Sequence, residues 1–177
     1  LDTWYVTNVA DMYGTFQDSG LTTDISGWQV GAVRDMHATF AGATTFNQPL
    51  NTWDTSQVED MGDIFAGATA FNQDLSAWDT GSVTDLSGAF RDSAFGGDIS
   101  GWDVSNVTTF ENLFRNTAVP AGAAGVGWYN RLLTAWAAQD VVDSSSGPDV
   151  VLTVCGTADT DGPGCAAGAP EYSEGAP

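Results

Sequence analysis

Apolar residues in this chain recur in a block of 24 or 25 residues that is repeated five times. Aligned on tryptophan, the anchors are Trp4, Trp28, Trp53, Trp78 and Trp102, with steps of 24, 25, 25 and 24 residues. Five residues after each anchor stands a valine: Val9, Val33, Val58, Val83 and Val107. Eight after come Met12, Met36, Met61, Leu86 and Phe110, and twelve after come Phe16, Phe40, Phe65, Phe90 and Phe114. Leu21, Phe46, Phe71 and Phe95 follow at seventeen or eighteen, and Ile25, Leu50, Leu75 and Ile99 stand three before the next tryptophan. The one-residue variation in period falls between the phenylalanine at twelve and the Ile/Leu column, which assigns it to a loop. A fixed period of this size predicts a solenoid, in which no coil buries its apolar side alone and neighbours must stack.

The period inside the block predicts the local structure. Trp102 and Val104 alternate with Asp103 and Ser105, the pattern of a short strand with one buried face. The alternation slips at Asn106, which implies a bend. Val107, Phe110 and Phe114 are spaced three and four apart, as on one face of a helical turn. Asp11, Asp35, Asp60 and Asp85 precede the Met/Leu column by one residue, a position suited to a helix N-cap. Each coil is therefore expected to run strand, bend, helical turn, loop. Stacked coils would form a parallel sheet with strands ~4.8 Å apart. The Trp and Phe columns read as aromatic core ladders and not as a sugar-stacking platform.

Phe46-Asn-Gln-Pro-Leu-Asn-Thr-Trp53-Asp-Thr-Ser-Gln-Val-Glu-Asp-Met61 and Phe71-Asn-Gln-Asp-Leu-Ser-Ala-Trp78-Asp resemble the repeats of the BspA-like leucine-rich-repeat surface proteins, which include mycoplasma surface lipoproteins. The resemblance covers residues 1–118. It continues in Tyr129-Asn-Arg-Leu-Leu-Thr-Ala-Trp136-Ala-Ala-Gln139 and Val150-Val-Leu-Thr-Val-Cys155, similar to the helix, strand and cysteine that end many members. Tyr129, Leu132, Leu133 and Trp136 also share one helical face by spacing alone. The expected fold class is α/β: a leucine-rich-repeat-like, right-handed solenoid of short parallel strands and short helical turns, with a helix-plus-strand C-terminal cap. The expected division is a five-repeat solenoid over 1–118, a cap over 119–166 and a linker-like tail over 167–177. The resemblance implies a surface-exposed adhesion or interaction module and carries no catalytic residues.

Charge narrows the partner class. The 177 residues include no lysine; Arg34, Arg91, Arg115 and Arg131 face 23 acidic residues, and the formal net charge is -19. Such a surface repels nucleic acid phosphates and anionic membranes, and it tolerates high ionic strength. No apolar run approaches the ~20 residues of a membrane span. Cys155 and Cys165 lie ten residues apart in a Gly/Asp/Pro loop and suit a disulfide in an oxidising compartment, the alternative being two unpaired thiols. The chain opens inside a repeat, which reads as a mature or truncated piece of a longer protein.

The outward positions of the expected strands are the candidate partner-binding residues: Tyr5, Gln29, Asp54, Asp79 and Asp103 one after the tryptophan, with Ser56 and Ser105 three after. The competing reading is a merely solvated sheet face. Asp159 and Asp161 before Gly162 look like part of a calcium loop, but a turn inside the disulfide loop accounts for them better. His37 has no triad partner at a recognisable spacing and reads as a helix-surface histidine; the glutamates form no glycosidase-like pair. The expectation is a non-enzymatic, extracellular or cell-surface module that presents an acidic face to a protein or glycan. The alternative is a structural or accessory subunit of a larger assembly such as a cell-surface filament. Neither reading involves nucleic acid, membrane insertion or a required cofactor, and calcium is an optional ligand.

Overall fold

A computed structural model describes residues 4–117, 131, 132, 134–136, 138 and 139. Over 4–117 the chain forms five stacked coils, one per tryptophan-anchored block. The expected strands and helical turns are absent from these residues. β-Pairing is limited to isolated parallel bridges, Asp11–Asp35, Asp35–Asp60, Asp60–Asp85 and Asp85–Thr109. These lie seven residues after each tryptophan, outside the stretch read as a strand, and the rest of each coil is turns and bends. The α/β solenoid of parallel strands and helical turns is therefore replaced by a stack of coils built on turns.

The reason lies in two backbone positions per coil. Ten residues after the tryptophan, Gly14, Ala38, Asp63, Gly88 and Asn112 have positive φ; fourteen after, Asp18, Gly42, Gly67, Asp92 and Asn116 do too. All these φ values lie between 51° and 69°. A right-handed helix cannot pass through residues in the left-handed region. Each such residue instead takes the third place of a four-residue turn. In the first coil Thr15 N donates to Met12 O and Ser19 N to Phe16 O; in the fifth, Leu113 N donates to Phe110 O and Thr117 N to Phe114 O. Positive φ at the third place is what a type II turn requires. The aspartates read as helix N-caps do accept the amide two residues on, as in Asp35 Oδ1 to His37 N at 2.8 Å and Asp60 Oδ1 to Gly62 N at 2.8 Å, but they open turns, not helices.

The turn ribbon also makes the junctions between coils. Amides alternate between a turn bond within the coil and a bond to the next coil. Met12, Gly14, Phe16 and Asp18 donate to the carbonyls of Asp35, His37, Thr39 and Ala41. The pattern repeats at each junction, ending with Leu86, Gly88, Phe90 and Asp92 donating to Thr109, Glu111, Leu113 and Arg115. One or two amides per coil run the other way: Arg34, Glu59, Thr84 and Thr108 donate to Ala10, Arg34, Glu59 and Thr84, and Asp35, Asp60 and Ala94 make longer bonds to Ala10, Arg34 and Ala68. The backbone accounting that a helix or sheet would close is thus closed by turns and coil-to-coil bonds.

The apolar columns form the core, as their spacing implied. Phe16, Phe40, Phe65, Phe90 and Phe114 stack with centroids 5.5, 5.4, 5.9 and 5.7 Å apart. Phe46, Phe71 and Phe95 form a second ladder at 5.9 and 6.3 Å. Trp53, Trp78 and Trp102 are buried, and each indole N–H donates to the preceding coil, at Ile25 O, Leu50 O and Leu75 O. The Phe-Asn-Gln step serves the same stacking: Asn47 Oδ1 accepts from Asn72 N and Gln73 Nε2, and Asn72 Oδ1 accepts from Gly96 N.

Residues 131, 132 and 134–136 are helical and lie against the fifth coil. Leu132 and Trp136 are buried, and the Trp136 ring sits 5.7 Å from Phe110. Gln139 accepts from Val104 N at 2.7 Å and donates to Trp102 O at 3.0 Å, so its side-chain amide does the work of a peptide group in a next coil. The expected strand over 150–154, Cys155, Cys165, Asp159 and Asp161 lie outside the described residues.

Candidate functional site

The candidate face begins with the buried column beneath it. Val6, Val30, Thr55, Thr80 and Val104, two residues after each tryptophan, all point into the core. Their neighbours on either side must therefore face outward. Tyr5, Gln29, Asp54, Asp79 and Asp103 are exposed, as is Ser105, and Ser56 is half-buried. Thr55 Oγ1 donates to Asp79 O and Thr80 Oγ1 to Asp103 O, which ties the ridge of one coil to that of the next.

The ridge is a line of turn tips and not a sheet face. Asp54 Oδ1 accepts from Ser56 N at 3.1 Å and Ser56 Oγ at 2.7 Å. Asp103 Oδ1 accepts from Ser105 N at 3.0 Å and Ser105 Oγ at 2.6 Å, and Asp79 Oδ1 accepts from Gly81 N at 3.1 Å. The serine hydroxyl first, and then its amide, hold the Asp54 and Asp103 carboxyls below the usual carboxylate range. These bonds fix one carboxylate oxygen and leave Oδ2 out of the turn. The residue three after the tryptophan is glycine at two coils, and at Gly31, though not at Gly81, the following aspartate needs the room. A Cβ on Gly31 would stand 2.8 Å from Asp54 Oδ2.

The cations sit on other columns. Arg34 pairs with Glu59 at 2.7 Å, Arg91 with Asp63 at 3.0 Å, and Arg131 with Asp98 at 3.5 Å. Among the described residues no group of three or more His, Cys, Asp or Glu side chains is arranged to hold a metal ion. His37, expected on a helix surface, lies in a turn, stacked on Tyr13 at 5.0 Å and 3.4 Å from Asp60 Oδ1.

At the first coil the ridge changes character. Trp4 stacks on Trp28 at 5.8 Å but is 56% exposed, against 2% for Trp53 in the third coil. Tyr5 is 96% exposed and Tyr13 61%. A shallow groove of about 440 Å³ opens here between Trp4, Tyr5, Asp24, Ser26, Trp28 and Gln29. The period placed Trp4 in a core ladder; it stacks there but is exposed, unlike Trp53, Trp78 and Trp102.

The fold and ridge define a repeat protein whose outer side chains are largely committed to its own turns. The family described as Mycoplasma protein of unknown function, DUF285, matches residues 1–93 and again 50–146, and the chain belongs to that family. No curated protein and no solved structure matches it.

Proposed function

We propose that this chain is a non-enzymatic interaction module of the BspA-like kind, acting outside the cell or at its surface. It binds a protein or glycan partner through the ridge of Tyr5, Gln29, Asp54, Ser56, Asp79, Asp103 and Ser105. One observation carries the reading: each ridge carboxylate is already fixed in its turn, above a core held by aromatic ladders. A partner that meets such a ridge finds its polar contacts pre-ordered, so little side-chain entropy is lost on binding. The formal net charge of -19 supports a partner with cationic or neutral polar groups and disfavours nucleic acid and anionic membrane. Among the described residues no helix is long and apolar enough to cross a membrane.

The test compares two triple variants of equal charge. Asp54→Asn/Asp79→Asn/Asp103→Asn empties the ridge of charge, and Asp35→Asn/Asp60→Asn/Asp85→Asn removes the same charge from the bridge column. Asparagine keeps the turn-forming oxygen in both. Octalysine and a panel of neutral glycans are the probes, read by surface plasmon resonance. The ridge variant is expected to bind octalysine about tenfold more weakly, equivalent to about 1.4 kcal/mol, with the control close to wild type. Equal losses in both variants would reduce the ridge to bulk charge.

A further inference from the structure

The junctions between coils are held mainly by backbone on one side of the core and by side chains on the other. The backbone ladder runs from six to fourteen residues after the tryptophan, in the turn ribbon. Across the core, the indoles of Trp53, Trp78 and Trp102 span the junctions to Ile25 O, Leu50 O and Leu75 O, and Thr55 and Thr80 reach Asp79 O and Asp103 O. Ring spacing follows this division. Between the second and third coils the ribbon rings of Phe40 and Phe65 stand 5.4 Å apart, and those of Phe46 and Phe71 5.9 Å. Between the third and fourth, Phe65 and Phe90 are 5.9 Å apart, and Phe71 and Phe95 6.3 Å. Between the fourth and fifth, Phe90 and Phe114 are 5.7 Å apart, and Trp78 and Trp102 6.1 Å. At each of these junctions the coils are closer at the ribbon than across the core, so the stack is wedged open on the side of the ridge.

We infer that the stack flexes as a fan: the ribbon is the hinge, the ridge side opens and closes, and the charges of Asp54, Asp79 and Asp103 set how far it stands open. Peptide groups bonded at fixed spacing make the ribbon stiff, whereas side-chain links turn about their own bonds and let the far side give. Like charges stand on both sides. Asp35, Asp60 and Asp85 follow one another along the ribbon, but there the ladder resists their repulsion, and Arg34 pairs with Glu59 beside them at 2.7 Å. On the ridge, Asp54, Asp79 and Asp103 are exposed and each bonds inside its own turn. Among the described residues no ion pair ties any of the three to a neighbouring coil. Their repulsion therefore acts on the compliant side, where it opens the wedge. Salt, or a cationic ligand laid along the ridge, closes it, so the solution sets the spacing of the ridge together with the fold. The hinge stands whether or not the ridge binds a partner.

The test reads hydrogen exchange in the full chain by NMR. The indole N–H groups of Trp53, Trp78 and Trp102 are buried and bonded across the ridge-side junctions, and the amides of Met61, Asp63 and Phe65 are bonded across the ribbon. Opening of the fan releases the indoles and keeps the ribbon. The indoles are therefore expected to show protection at least about tenfold below that of the ribbon amides, with little dependence on low urea, while the ribbon amides follow global unfolding and its steep urea dependence. Indole protection equal to that of the ribbon, with the same urea dependence, overturns the hinge. The charge is tested by Asp54→Asn/Asp79→Asn/Asp103→Asn against Asp35→Asn/Asp60→Asn/Asp85→Asn, which remove equal charge. The ridge variant is expected to raise indole protection about threefold over the ribbon variant. Loss of nearby negative charge by itself speeds base-catalysed exchange, so a slowing reports closure of the fan. Indoles that exchange alike in both variants, or faster in the ridge variant, overturn the role of the ridge charge.

Discussion

Among the described residues, Ala38 is the only one of the ten with positive φ that is not Gly, Asp or Asn. A left-handed alanine costs about 1–2 kcal/mol relative to glycine. Ala38→Gly is therefore expected to stabilise the protein by about 0.5–1 kcal/mol, after allowing for the lost burial of its methyl group, and urea denaturation reads this directly. Gly42→Ala goes the other way. Gly42 has φ +67, and a Cβ there would collide with the Asp18 carboxylate of the preceding coil. A loss of about 1–3 kcal/mol is expected, reduced in the double variant with Asp18→Gly. The serines of the ridge give a pH prediction. The lowered Asp54 and Asp103 pKa values add stability that is present above the ordinary carboxylate value of 3.8 and is lost as pH falls through the lowered ones. In Ser56→Ala/Ser105→Ala both carboxyls should titrate higher by NMR. The stability gap to wild type should hold at neutral pH and narrow below about pH 4; a gap that persists in acid would place the serines' contribution elsewhere. The outward direction of all these residues was legible, because Trp102 and Val104 flank Asp103 and alternate with it in any backbone that is extended there. Their fixation was not, because a short range of alternation does not separate a strand from an Asx turn.

A single turn repeated is the element from which this chain is built. Val107, Phe110 and Phe114 carry the three-and-four spacing of a helical face, and all three are buried, so that reading found the inward side chains while missing the backbone that presents them. The corrective signal stood in the sequence at Gly14, Asp63, Gly88 and Asn112 and at Asp18, Gly42, Gly67, Asp92 and Asn116: Gly, Asp and Asn in two columns four residues apart. Residues that tolerate left-handed φ, recurring at fixed places, outweigh apolar spacing, because spacing places side chains and φ decides whether a helix can pass. Within this element each tryptophan has two roles that substitution separates. Trp78→Phe keeps a ring in the core but removes the N–H that reaches Leu50 O at 2.9 Å, at an expected cost of about 1–3 kcal/mol. Trp78→Ala also opens a cavity and should cost about 3–5 kcal/mol. Thermal unfolding of the two variants distinguishes the donor from the ring.

At the scale of the molecule, the stack behaves as a series of neighbour junctions with different ends. The period of 24 or 25 residues announced this organisation, and the segment from Tyr129 to Gln139 announced that something covers the fifth coil. What spacing could not give was the means by which Gln139 holds on, since a side-chain amide matched to Trp102 O and Val104 N depends on where the last coil leaves its backbone. Gln139→Ala should raise amide exchange in the fifth coil well above that in the third, while Gln139→Glu restores only the acceptor and recovers the loss in part. The net charge of -19 makes stability rise with added sodium chloride as repulsion is screened. The rise should level off once the Debye length falls to about 3 Å near 1 M.

The coil-to-coil bonds also have a direction. Four amides per junction point from each coil toward the next, and one or two point back. In a parallel sheet the two directions nearly cancel, leaving little net dipole. Here they do not, so peptide dipoles of about 3.5 D each add along the stack as they do along a helix. The polarity is the reverse of a helix: through the described coils the carbonyls, partially negative, point toward the first and the amides toward the fifth. The described stack is therefore a small electrical bar as well as an acidic one.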